Sequence, residues 1–237
     1  MKIIMRPMTP EESWEHIMDN YNMYHKKLKH FGYRYNSFIP GTDFIKQMFE
    51  QENLTPEYIH QCKEKFINNV YDEKALHHLD DIFNNGVKQK FEQVVNECLV
   101  PLLPSWNTVM PKTLELRCTF GQGSGYWRLD DDTMVMLFRM SRFPDDATAL
   151  LNIMFHEFVH MLIEKSIIQK YHVPQDLKER IVDLICYEFV KKPVQPMFEK
   201  SFANGYINLD VIKNDLPGAV AKMMADYAVL HENPKQM

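Results

Sequence analysis

Cysteine is scarce in this chain and scattered. Its four residues, Cys62, Cys98, Cys118 and Cys186, lie far apart and form no CxxC pair. That pattern excludes a disulfide-stapled scaffold and predicts free thiols in a reducing, cytoplasmic setting. Glycine is also sparse. Three of the eight glycines fall within Gly121-Gln122-Gly123-Ser124-Gly125. This cluster joins two strand-like stretches and opens no helix, so it reads as a hairpin loop and not as a phosphate cradle. No basic surplus exists: the formal net charge is −5. The short run His25-Lys26-Lys27-Leu28-Lys29-His30 reads as a solvated helix face, and nothing marks a nucleic-acid-binding surface. No apolar run reaches the length of a membrane span, and the N-terminal stretch is too short for a signal peptide. There is no internal repeat and no low-complexity tract.

What is present is enough for one substantial core. The chain has 237 residues, 45% hydrophobic and 25% charged, which is ordinary for a globular protein. Thr9-Pro10-Glu11-Glu12 opens a helix expected to run to about Phe31 and stop at Gly32. Its residues Trp14, Ile17, Met18, Tyr21, Tyr24 and Leu28 recur at helical spacing. Further helices are predicted over about 42–52, 55–70, 72–83 and 87–99, with Asn84-Asn85-Gly86 as a break. The proline-rich segment from Pro101 to Pro111 then divides the chain. Residues 1–105 read as a helical subdomain or cap, and residues 106–237 as the chemical core.

Beyond that boundary Thr113–Phe120, Tyr126–Leu129 and Thr133–Met140 read as strands of a meander or hairpin pair. The expected fold class is α+β: a helical N-terminal half, then a small antiparallel sheet, a motif-bearing helix and C-terminal helices. Pro144-Asp145-Asp146 is predicted to open the motif helix. That helix is apolar nearly all round, so it is expected to lie at the centre.

The motif is His156-Glu157-Phe158-Val159-His160. Residues four apart on a helix share a face, so the two imidazoles sit about 40° apart and can reach one cation. Glu157 lies about 60° from His160, too far round to be the obvious ligand and close enough to touch a water beside the metal. Two neutral nitrogens and a carboxylate base are what a hydrolytic Zn2+ site needs. Ionisable side chains inside an apolar helix are costly unless paired or metal-bound.

A catalytic zinc site takes three protein ligands. A metzincin needs Gly and His three and six positions after the second motif histidine. Here those positions hold Ile163 and Ser166, so that class is excluded. Glu179 and Asp183, four apart on the next predicted helix, offer a third ligand and a partner for the outer N–H of a ligand histidine. Two rivals stand beside this reading. Asp176-Leu177-Lys178-Glu179 is also a capping box, which would occupy Glu179 at the helix start. His172 is the competing ligand, and Asp183 itself is the next candidate.

His156-Glu157-x-x-His160 followed by Glu179-x-x-x-Asp183 resembles the gluzincin branch of the zincin metallopeptidases, over about residues 113–190. The resemblance implies zinc on His156, His160 and Glu179, with Glu157 as general base. It implies Thr133–Met140 as the edge strand that pairs with an extended peptide substrate. It also implies a downstream Tyr or His that steadies the oxyanion, for which Tyr227 and His231 are the candidates. SprT-like zincins, in which a histidine at an offset comparable to His172 serves as ligand, are the second resemblance. The expected activity is zinc-dependent hydrolysis of a peptide or protein substrate. The alternative is a catalytically silent or regulatory protein of the same fold that binds a protein partner through its helical half.

Overall fold

The computed structural model describes residues 1–28, 42–120, 124–128, 132–139, 147–193 and 201–232. The predicted stop at Gly32, the Tyr33–Gly41 loop that follows it, the first half of the glycine cluster and the Pro144-Asp145-Asp146 start lie outside these residues.

The chain opens with a strand, β1 (Lys2–Pro7), that sequence patterning does not announce. Helix α1 (Pro10–Met23) begins as its signal predicts. Thr9 Oγ1 accepts from the Glu12 N–H, and the Glu12 carboxylate accepts from the Thr9 N–H. Four more helices follow: α2 (Asp43–Glu50), α3 (Pro56–Asn69), α4 (Glu73–Ile82) and α5 (Lys88–Val94). Thr55 and Asp72 cap α3 and α4 through their side chains. The predicted break falls between α4 and α5, where Gly86 adopts φ 125°, a conformation that side chains disfavour. Strands β2 (Thr113–Thr119), β3 (Ser124–Arg128) and β4 (Thr133–Arg139) come next. The chain then forms α6 (Ala147–Ile163), α7 (Gln175–Val190), α8 (Leu209–Asn214) and α9 (Leu216–Glu232). No described helix is long and apolar enough to cross a membrane.

The sheet is not the small antiparallel meander that local patterning predicts. Its order is β1-β2-β4-β3. β1 pairs parallel with β2, and β2 pairs parallel with β4; β3 alone runs antiparallel, beside β4. A meander would place β3 next to β2. Instead β4 returns between them. The reason lies in β4 itself: Met134, Val135, Met136 and Leu137 are buried in succession, so neither face can be left to solvent. Such a run belongs at the middle of a sheet, with cover on both sides. The expectation that Thr133–Met140 is an edge strand is therefore overturned. Among the described strands the edges are β1 and β3.

One hydrophobic core runs through both sides of position 106. β1 joins the sheet of the C-terminal half, and Phe91 on α5 meets Phe158 on α6 edge-on, with ring centroids 5.4 Å apart. Trp106 is fully buried, and its indole N–H donates to the Ile212 carbonyl at 2.7 Å. At the start of the sheet, Arg6 Nη1 donates to both Glu12 oxygens at 2.9 and 2.8 Å, while Arg6 and Arg117 share Glu115 Oε1. That cluster ties β1, α1 and β2 together. Helix α6 lies at the centre, against β3, β4, α5 and α7.

Candidate metal centre

Helix α6 is held by apolar residues on nearly every side. Leu150, Leu151, Met154, Phe155, Phe158, Val159 and Leu162 are all buried. Within that wall His156 and His160 share one face, with ring centroids 4.5 Å apart and planes nearly perpendicular. Each side chain is 11% exposed. After Ile163 the helix widens into a π turn, Glu164–Gln169. The Thr108 hydroxyl donates to the Leu162 carbonyl at that point, satisfying a group that the widened turn would leave loose. A tight turn through His172, in the left-handed region at φ 53°, then sends α7 back across α6.

The return places Glu179 over the histidine pair. His160 Nε2 lies 3.0 Å from His156 Nε2 and 3.2 Å from Glu179 Oε2, and His156 Nε2 lies 3.5 Å from the same oxygen. Among the described residues these three are the group of His, Cys, Asp and Glu side chains close enough to hold one ion. A tetrahedral zinc with bonds of about 2.0–2.1 Å has ligand-to-ligand edges of roughly 3.3–3.4 Å. The triangle found here averages close to that edge, so the donor set fits such an ion. The neighbouring donors are two imidazole nitrogens and one carboxylate oxygen, which also suits zinc chemically.

Neither rival arrangement is present among the described residues. His172 is exposed on its turn, outside the cluster. The capping box does not form: the residue before α7 is Pro174, and no side chain caps the helix. Glu179 is instead held by Gln175, whose Nε2 donates to Glu179 Oε1 at 2.6 Å. One carboxylate oxygen thus faces the histidines and the other faces the amide. Burial pushes the Glu179 carboxyl upward, but hydrogen bonds and charge from His156 and His160 outweigh it and hold the group well below the usual carboxylate range.

Asp183 sits one turn further along α7, fully buried, with Oδ1 3.6 Å from His156 Nδ1. Lys192 reaches both atoms. Cys186 Sγ lies 3.9 Å from the same nitrogen. Burial, with the Asp183 and Glu157 carboxylates beside it, pushes the Cys186 thiol up against the opposing pull of Lys192. His160 Nδ1 is buried with no hydrogen-bond partner among the described residues. Glu157 is partly exposed and makes no hydrogen bond or ion pair among them. Among the described residues it is the one ionisable motif residue with no such partner.

The structure thus brings together His156, His160, Glu179 and Asp183, with Glu157 adjacent in the helix. Tyr227 lies on α9, half-buried, its ring against Phe202 with centroids 5.7 Å apart. The His231 side chain lies outside the described residues. Gln175 and Lys192 are the participants that sequence reasoning missed. The four-residue spacing from Gln175 to Glu179 was a legible signal. Lys192 carried none, because a left-handed turn at Lys191 (φ 56°) redirects the chain before it.

Comparison with models of protein families, with curated proteins and with solved structures finds no match for this chain.

Proposed function

We propose that the chain is a zinc-dependent metallopeptidase of zincin type, with the gluzincin-like ligand set His156, His160 and Glu179 and with Glu157 as general base. The observation that supports this most is the three-donor triangle of 3.0, 3.2 and 3.5 Å beside an uncommitted Glu157. A zinc ion in that triangle would polarise a scissile carbonyl and bring the pKa of a bound water toward about 7. The protein's own part is then specific. His156 and His160 would supply two imidazole nitrogens from one rigid helix. Glu179 supplies one oxygen, its other oxygen being tied to Gln175. Asp183, 3.6 Å behind the 156 ring and linked to it through Lys192, would accept the outer N–H of that ring once a metal is bound. Glu157 takes a proton from water and returns it to the leaving amine.

An extended substrate needs a strand with an open edge. Among the described strands β3 has one and packs on α6, which supports it in that role. The oxyanion partner that the resemblance implies has Tyr227 and His231 as its candidates; of these the Tyr227 ring packs on Phe202. Four free cysteines suit a reducing, cytoplasmic compartment. A silent scaffold would have no use for a Glu157 beside this donor set that makes no hydrogen bond or ion pair among the described residues.

The test is Glu157→Gln assayed on a mixed library of quenched fluorescent peptides. Cleavage by the wild type should fall by roughly 10²–10⁴ in the variant while bound zinc is retained. Full activity in the variant would exclude Glu157 as the base.

A further inference from the structure

Lys192 occupies a place that a metal-binding histidine normally reserves for a carboxylate. Its ammonium lies 2.9 Å from Asp183 Oδ1 and 2.9 Å from His156 Nδ1. Asp183 Oδ1 itself is 3.6 Å from that nitrogen, beyond hydrogen-bond reach. The Asp183 side chain is 0% exposed and the Lys192 side chain 19%, so neither contact is a loose surface pair.

A neutral imidazole carries one N–H and one in-plane lone pair. An ammonium has only hydrogens to give. A hydrogen bond from that ammonium to Nδ1 would use the lone pair there and leave the ring hydrogen on Nε2. A histidine that ligates through Nε2 needs the reverse: the lone pair on Nε2 and the hydrogen on Nδ1, donated to a carboxylate. The two arrangements exclude each other without any change in the ring's net charge.

We propose that Lys192 competes with a metal ion for His156, holding the ring with its hydrogen on Nε2 until Nδ1 is handed to Asp183. This rests on the reading of the triad as a zinc centre. Lys192 is a positioning residue that lowers metal affinity, in two ways of the same sign. It takes the lone pair of one ligand, and it sets a positive charge beside the place where a dication would sit. A lysine that merely supported Asp183 would have the opposite effect, since its removal would loosen the ligand shell and weaken binding.

The experiment titrates zinc against a competing chelator in the metal-free full-length chain, for wild type, Lys192→Met and Lys192→Gln. Two-bond ¹⁵N correlation spectra of the His156 ring in the metal-free wild type are recorded alongside. Both variants should bind zinc about tenfold more tightly, within the range that outer partners of ligand histidines command. The metal-free wild-type ring should carry its hydrogen on Nε2. Equal or weaker zinc affinity in a folded variant overturns the proposal, and so does a ring hydrogen on Nδ1. If neither variant folds, the ring spectrum alone decides. Zinc uptake by neither wild type nor variants overturns the zinc reading, and the competition with it, whereas a ring hydrogen on Nδ1 in a chain that binds zinc overturns the competition alone.

Discussion

Gln175 donates to Glu179 across one helical turn at 2.6 Å, and that bond fixes which carboxylate oxygen faces His156 and His160. A carboxylate with one oxygen so occupied offers a single oxygen to a metal, which keeps a further coordination position open. Gln175→Leu keeps the helix and removes the amide. Zinc affinity should fall by about tenfold, as it does when an outer partner of a ligand is lost. The thermal midpoint of the metal-free chain should hardly move, because Gln175 is exposed. An unchanged affinity would show that Glu179 is positioned by other means.

The Arg6 cluster gives the fold a pH dependence at its N-terminal edge. The hydrogen bonds from Arg6 lower the Glu12 carboxyl below its ordinary value of 4.5. A carboxyl lowered in the folded state contributes stability that is fully present above its ordinary value and lost as pH falls through its folded value. Both side chains are more than a third exposed or nearly so, so the contribution is modest. Arg6→Ala should cost about 0.5–1 kcal/mol at pH 7. The gap between variant and wild type should begin to narrow as pH falls below 4.5 and vanish once pH is below the lowered folded value. Chemical denaturation at both pH values measures it, and a gap independent of pH would contradict the assignment.

Burial pushes the Cys118 thiol up to about 12, with the charge of Asp80 adding to it. Cys186 is raised as well and lies in the wall behind His156. Cys98 is the least buried of the four. Thiolates are the reactive form. Treatment of the folded chain with iodoacetamide at pH 8 should therefore modify Cys98 first. Cys118 and Cys186 should react only after unfolding. Rapid modification of Cys186 in the folded chain would mean that the back of the site is open.

A chain cut to begin at Trp106 would lose β1 and the Phe91 ring that meets Phe158. β2 would then present a new edge, and α6 a bare apolar face. The fragment should fail to fold, with no cooperative thermal transition by circular dichroism. A folded fragment with raised peptidase activity would show that residues 1–105 are a detachable cap.

Much of this was written locally in the chain, and the exceptions share a cause. Thr9-Pro10-Glu11-Glu12 and Thr55-Pro56-Glu57 mark helix starts because the capping bonds involve only neighbours. His156, Glu157 and His160 are legible because helical geometry alone puts the two rings on one face. Partners distant in sequence were not legible. β1 pairs with a strand more than a hundred residues away, and nothing in Lys2-Ile3-Ile4-Met5 names that partner. The sheet order departs from the meander that chain succession suggests. The unbroken apolar run of β4 was the signal for a central strand. Glu179 was ambiguous in sequence because Asp176 three residues earlier makes a capping pattern. The structure starts the helix at Gln175, with Pro174 before it, and the pattern is not used.

The most direct measurement is anomalous diffraction at the zinc edge from crystals of the full chain grown with zinc. The account predicts one peak within about 2.1 Å of His156 Nε2, His160 Nε2 and Glu179 Oε2. A peak on His172, a peak elsewhere, or no peak would contradict it.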